Sequence, residues 1–224
     1  MIKKRKTDFW WVLGFIALII FIKVSVVGFY LVPSASMEPG ILPGDRILVN
    51  KLKYGFTPPF FKTQLFSWGE IKRGDVIVFE DNNRQKFVKR VIGLSGDVVV
   101  FKEGHIYVNN NELDLQNTGK QFFLNENLPV TLLTEKNEKI GLPAHNIYMS
   151  ENMQSTFFEN SRFYVDEGSL FVLGDNRDFS EDSRKIGNIP KESVLGKPFY
   201  VLFSTNGESG FLPNFRKDRA FRKI

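Results

Sequence analysis

The sequence predicts a mainly β protein carried behind one N-terminal transmembrane helix. An uncharged apolar run follows directly on a basic start. Everything beyond it breaks into short β-patterned stretches separated by Gly, Asn, Asp and Pro. Helical periodicity of useful length is absent after the apolar run. The 224 residues suit one main domain with a second small lobe. A hydrophobic content of 42%, with 14% aromatic, is enough for a core and excludes a wholly disordered chain.

The helix comes first. Lys3-Lys4-Arg5-Lys6 precedes an uncharged stretch from Phe9 to Ile22. Those 14 residues reach only about 21 Å as helix, short of the ~30 Å hydrocarbon core. Continuing to Val27 gives a spanning length if Lys23 snorkels to the outer interface. Trp10 and Trp11 lie at the other end, where an aromatic belt belongs. The basic end is expected to stay cytoplasmic and the rest of the chain to be exported. A cleavable signal peptide shares the basic start and the apolar stretch. Ser34-Ala35-Ser36 lies too far beyond Ile22 to be its cleavage site, so an uncleaved single-span anchor over 9–27 is expected. A buried core helix fits less well, because the stretch is apolar on every face rather than amphipathic.

Strands are expected at 46–50, 75–79, 86–94, 97–101, 105–109 and 169–173, with 194–203 closing the set. The stretch 99–165 reads as polar and irregular in its pattern, an inserted β-rich lobe. It separates a first part of the core (28–98) from a second (166–204), with a basic aromatic tail at 205–224. Residues 54–68 are aromatic and Pro-containing, either a satellite hydrophobic cluster under a loop or a patch that dips into lipid headgroups.

Charge and composition narrow the chemistry. The pI is about 9.3, yet residues 1–8 carry +3 and residues 211–224 carry +4 of the total +5, which leaves the body at −2. A broad nucleic-acid-binding face is therefore not expected. The tail, with Phe211, Phe215 and Phe221 among its basic residues, suits either anionic headgroups or a solvated, disordered end. Zero cysteines remove disulfides, thiolate zinc sites and Cys nucleophiles. His105 and His145 cannot supply a three-His metal site, and no metal or other cofactor is expected.

Three segments carry candidate chemistry. In Val32-Pro33-Ser34-Ala35-Ser36-Met37-Glu38-Pro39, an extended backbone would put Ser34 and Ser36 on one face, one hydroxyl to attack and the other to donate nearby. A Ser-rich turn beside Pro is the plainer reading. In 86–94, alternation puts Phe87, Lys89 and Val91 on one face and Val88, Arg90 and Ile92 on the other. A lysine buried among apolar neighbours becomes a base at neutral pH if its pKa falls by roughly 3 units from ~10.4. Otherwise it is an edge-strand lysine snorkelling into water. The third segment, Gly174-Asp175-Asn176-Arg177-Asp178-Phe179-Ser180-Glu181-Asp182-Ser183-Arg184, is rich enough in Asp–Arg pairs and hydroxyls to lock a loop beside a reacting group. Its aspartates also suit a metal, although calcium-loop spacing is not matched.

Taken together and in this order, the segments resemble bacterial signal peptidase I, in particular its Gram-negative branch. The similar features are Ser-x-Ser-Met-x-Pro after an anchor, Arg73-Gly-Asp-Val-Ile-Val-Phe79, Lys89-Arg90-Val-Ile-Gly-Leu-Ser-Gly-Asp97, and the Gly-Asp-Asn-Arg-Asp loop ending in Ser-Arg. Asn50-Lys-Leu-Lys-Tyr-Gly-Phe-Thr-Pro58 adds to the likeness. The resemblance implies an antiparallel β-sheet catalytic domain and a serine endopeptidase without cofactors. Its substrates would be exported preproteins with signal peptides, and it would sit in the bacterial inner membrane with the catalytic domain on the periplasmic side. It implies Ser36 as nucleophile, Lys89 as general base, and Ser34 with the Ser36 backbone N–H as the oxyanion hole. Ser180 and Asp182 would orient the lysine, with Arg90, Asp175 and Arg184 in structural ion pairs. Gly40, Ile41, Ser95 and Phe179 depart from residues common in that family, and none removes a catalytic atom. A specialised Ser-Lys maturation protease, or a non-catalytic membrane-anchored binding module, remain the alternatives.

Overall fold

The computed structural model describes residues 9–16, 19, 21, 25–56, 58, 65–124, 128–150, 160–206 and 214–224. Helical backbone covers residues 9–16. Among the described residues no helix is long and apolar enough to cross a membrane. Residues 17, 18, 20 and 22–24 of the expected anchor, and the basic cluster before it, lie outside the described residues.

A first strand, β1 (Val27–Leu31), starts where the sequence reading ends the anchor. β2 (Asp45–Asn50) pairs with it, and β3 (Gly55–Phe56) with β4 (Phe66–Ser67) forms a small ribbon. β5 (Val76–Glu80) and β6 (Lys86–Leu94) form a hairpin in which Ile77 lies opposite Lys89 and Val76 opposite Arg90. β7 (Val98–Lys102), β8 (His105–Val108) and β9 (Asn111–Glu112) form a meander. β10 (Asp114–Leu124), β11 (Leu128–Asn137) and β12 (Leu142–Ser150) make a separate antiparallel sheet. β13 (Arg162–Tyr164) returns to β7, and β14 (Ser169–Leu173) pairs with β6. β15 (Ile189–Pro190), β16 (Val194–Asn206), β17 (Asn214–Phe215) and β18 (Arg222–Lys223) complete the chain. The main sheet runs β1-β2-β16-β5-β6-β14-β15, with β17 and β18 also on β16.

Each strand expected from the sequence is present to within three residues at its ends. Within the polar, irregularly patterned stretch 99–165, β10, β11 and β12 are among the longest strands of the fold. The described side chains of β10 are almost all exposed, so it lacks the apolar alternation by which a half-buried strand is recognised.

Three apolar clusters hold the sheets. One gathers Val32, Met37, Ile41, Ile47, Val49, Val76, Val78 and Val201 beneath the Ser-rich turn. A second joins Tyr54, Ile77, Phe79, Val91, Leu170, Val172 and Ile189. The third joins Ile92, Val99, Phe101, Leu142, Phe171 and Leu173 under the inserted strands. Each fully buried Ile, Leu or Phe stabilises the fold by about 1.5–3 kcal/mol. In the 54–68 segment Tyr54 is core, Leu65, Phe66 and Trp68 are exposed, and residues 57 and 59–64 lie outside the described set.

The terminal arm departs from a solvated end. β17 and β18 both hydrogen-bond to β16, and Ile224 packs against the first cluster. Arg219 is buried: its Nε and Nη2 donate to the Asp45 carboxylate at 2.9 and 2.5 Å, and Nη2 also donates to Gly40 O at 2.9 Å. Arg216 donates to Pro43 O and to Ser204 Oγ. Two of the five arm cations are thus spent on the fold, while Phe215 and Phe221 stay exposed. Arg219→Ala leaves Asp45 buried without its counter-charge, and stability is expected to fall by about 3–5 kcal/mol. Urea unfolding in detergent reads this directly, and an unchanged midpoint would place the arm outside the cooperative unit.

Candidate active site

Ser36 sits on the turn between β1 and β2. Val32 N–H donates to Asp45 O and Gly44 N–H donates to Val32 O, closing the loop at its base. Gly44 has φ +87°, and a Cβ there would stand 2.0 Å from Thr205 O, so the closure requires glycine. Buried Met37 and Ile41 pin the loop into the core beneath it. The Ser-rich stretch is bent rather than extended. The turn still brings the two hydroxyls together, with Ser34 Oγ 3.3 Å from Ser36 Oγ.

Lys89 reaches the same point from the middle of β6. Its Nζ is 2.6 Å from Ser36 Oγ, and the residue is 2% exposed. The alternation read from the sequence holds. Phe87 and Val91 belong to the second cluster with Ile77 opposite, Val88 belongs to the first, and the Nζ lies 5.8 Å from the Phe87 ring centre. Burial pushes the amine down to about 8, against the pull of Asp182, Asp175 and Glu181, and Arg184 pushes the same way as burial.

Arg90, on the other face, makes a two-pronged pair with Asp175 at 2.7 Å for both contacts and donates to Gly74 O. Asp182 accepts from Arg184 Nε and Nη2 at 2.8 Å each and from Gly174 N–H at 3.0 Å. Burial alone would raise the Asp182 carboxyl, but the Arg184 guanidinium and the Gly174 N–H hold it below the usual range. Asp178 accepts from Ser150 N–H. Ser180 is buried, and its Oγ makes no hydrogen bond of ordinary geometry but lies close enough to Asp182 to help hold that carboxylate ionised. Lys89 hydrogen-bonds to neither Ser180 nor Asp182 among the described residues; Asp182 acts on it through charge. Phe179 is 37% exposed at the end of a 3-10 turn, Arg177–Phe179.

All the residues singled out from the sequence therefore converge on one place. Others join them that the sequence reading did not assign. Asn176 N–H donates to Ser36 O at 3.1 Å and its Nδ2 to Ala35 O at 3.1 Å. Gly174 packs so closely that a Cβ would stand 2.5 Å from Ser36 O and 2.2 Å from Ser180 Oγ. Both lie in the motif already quoted, so motif membership was the available signal. Arg177 pairs with Glu135 on β11, and nothing local to Glu135 marks it.

A serine hydroxyl 2.6 Å from an amine buried among apolar side chains is a geometry in which the amine, when neutral, can accept the hydroxyl proton. A family model described as signal peptidase, peptidase S26, matches residues 6–203. The chain belongs to the signal peptidase S26 family. Signal peptidase I of Pseudomonas aeruginosa is 34% identical over 202 residues, which is 83% of this chain and 68% of that protein. Signal peptidase I of Rickettsia akari is 33% identical over 217 residues, 88% of this chain and 79% of its own length. A solved signal peptidase I from Enterococcus faecalis shows 25% identity over 58% of this chain and 98% of its own, with a TM-score of 0.34. This S26 protein is a serine peptidase.

The depressed Lys89 pKa has a stability consequence. Between about 8 in the fold and 10.5 in the unfolded chain, the unfolded state binds more protons. Stability from this residue therefore rises with pH across that window, by about 3 kcal/mol in all. Below pH 8 the full cost of a buried ammonium is present. Lys89→Met is expected to be more stable than wild type at pH 7 and to lose this pH-dependent gain. Denaturant midpoints of both proteins between pH 7 and 10 test it, and parallel slopes would mean Lys89 is not buried as a depressed amine.

Proposed function

We propose that this protein is a membrane-anchored endopeptidase that removes signal peptides from exported preproteins, with Ser36 as nucleophile and neutral Lys89 as general base. The observation that carries the reading is the 2.6 Å contact between Lys89 Nζ and Ser36 Oγ in a site that lowers the amine to about 8. The likeness to signal peptidase I of other bacteria supplies the substrate class.

In the proposed reaction Lys89 takes the Ser36 proton as Ser36 Oγ attacks the scissile carbonyl. The oxyanion is held by the Ser34 hydroxyl and the Ser36 backbone N–H. Collapse breaks the C–N bond, and the Lys89 ammonium gives its proton to the leaving amine. A water then loses a proton to Lys89 and attacks the acyl ester, and Lys89 returns that proton to Ser36 Oγ. No cofactor enters. Asp175–Arg90 and Asp182–Arg184 are assigned the task of fixing the loop around this pair, with Ser180 filling the space behind Gly174.

Membrane anchoring through the 9–27 segment is supported by Phe9, Trp10, Trp11, Phe15 and Ile16, which all lie exposed along the helical stretch. Phe29 and Leu31 of β1, Tyr200 of β16 and Phe221 continue an exposed apolar face next to it. A bilayer is the proposed partner of that surface, with the N-terminus cytoplasmic and the catalytic domain on the periplasmic side.

Ser36→Ala and Lys89→Ala are each expected to abolish precursor cleavage in liposomes while far-UV circular dichroism is unchanged. Full activity in either would remove the dyad. Wild-type kcat/KM should climb with pH through about 8, as Lys89 loses its proton. Ser34→Ala should lower kcat by about 10²–10³-fold, the scale of one lost oxyanion donor. Cleavage of a single precursor from a broad panel would make this a dedicated maturation protease instead.

A further inference from the structure

The three-stranded insert reaches the loop of the active site. Glu135 of β11 is wholly buried, and both its oxygens accept from the Arg177 guanidinium, itself 4% exposed. Arg177 Nε donates to Gly174 O at 3.2 Å. His145, opposite Glu135 on β12, places its Nε2 3.3 Å from the same carboxylate. Burial alone would raise the Glu135 carboxyl, but Arg177 and His145 hold it down to about 2, so it remains a carboxylate.

A buried ion pair is a poor way to glue a sheet, because an apolar pair of similar volume packs at less desolvation cost. Its distinctive property is a fixed two-pronged geometry. Here that geometry is imposed on the loop that touches the nucleophile. Gly174 lies against Ser36 O, Asn176 donates to Ser36 O and Ala35 O, and Arg177 follows immediately. Two further bonds from β12 hold the same loop: Tyr148 N–H to Asp175 O and Ser150 N–H to Asp178. The loop is thus clamped between the insert and the Ser36 backbone.

We propose that Glu135 is a positioning residue for hydrolysis at Ser36, acting through Arg177 on the Gly174–Asn176 backbone that supports the nucleophile. The inserted sheet is on this account a working part of the active site. The proposal rests on the Ser36–Lys89 reading above. A loosened Arg177 lets Gly174 and Asn176 move, and small displacements of a nucleophile from its base are expensive in rate.

The test uses the full chain in liposomes with four proteins: wild type, Ser36→Ala, Glu135→Gln and Leu142→Ala. Leu142 is a core residue of the same sheet, opposite Asn137 and not a member of the ion pair, and its truncation supplies a matched loss of stability. Glu135→Gln is expected to lower kcat by about 10–100-fold at nearly unchanged KM. The rate at which a serine-acylating probe labels Ser36 should fall in parallel. Leu142→Ala should lower the unfolding midpoint and keep kcat. Should Glu135→Gln fail to fold, Glu135→Asp keeps the charge, shortens the reach and is read the same way. Wild-type kcat in the Glu135 variants, or an equal kcat loss in Leu142→Ala, would overturn the inference alone. Cleavage surviving in Ser36→Ala would bring down the dyad and this inference with it.

Discussion

The structure depends on keeping an amine dry beside a serine. In water Lys89 would carry a proton and accept none from Ser36. The fold removes the water with Phe87 and Val91 on the same strand face and Ile77 across the hairpin. The same site holds Asp175 and Asp182, whose charges pull the amine back toward protonation. Each of these acids is tied to its own arginine, Arg90 or Arg184. Arg184 offsets part of the carboxylate field at Lys89 and burial outweighs the rest, so the acids can shape the loop while the amine stays depressed. Burial remains the dominant influence on the amine.

β6 is the element on which this balance is built. Over five successive residues it serves the first cluster with Val88, the contact to Ser36 with Lys89, the loop with Arg90, the second cluster with Val91 and the third with Ile92. The two-residue period of a strand makes such a division possible, with each face carrying one polar side chain between apolar neighbours. A shift of one residue in the β5–β6 register would exchange Lys89 and Arg90 between the faces, putting a permanently charged guanidinium beside Ser36 in place of the depressed amine. The pairs Val76–Arg90, Ile77–Lys89 and Val78–Val88 therefore set the chemistry as well as the packing.

The faces of β6 were legible in the sequence because apolar alternation is a local signal, and so were the strands on either side of it. The Ser34–Ser36 spacing also pointed to neighbouring hydroxyls, although a bend rather than a strand brings them together. What escaped the reading depends on distance along the chain or lacks hydrophobic contrast. β10 is solvated along almost all its described length, so its residues carry no burial pattern to read. Glu135 meets Arg177 across 42 positions, and Asp45 meets Arg219 across 174. A charged residue destined for a buried pair looks like a surface charge until its partner is known, which is why the terminal arm read as either a headgroup-binding or a solvated end.

The arm and the anchor segment also constrain how a substrate reaches Ser36. With Arg216 and Arg219 turned inward, Lys217, Arg222 and Lys223 are left to face solvent, beside the exposed Phe215 and Phe221. β18 pairs with β16 at Tyr200 and Val201, and β16 pairs with β2, which pairs with β1. The aromatic and basic groups therefore share the sheet that begins at Val27. On the proposed anchoring, Ser36 follows Val27 by nine residues and stands no farther than ~30 Å from the end of the anchor. A signal peptide whose own apolar segment occupies the same bilayer must place its scissile bond within that reach. On the proposed reading, shared attachment to one membrane thereby turns the search for a cleavage site into a short-range encounter with the Ser36–Lys89 pair.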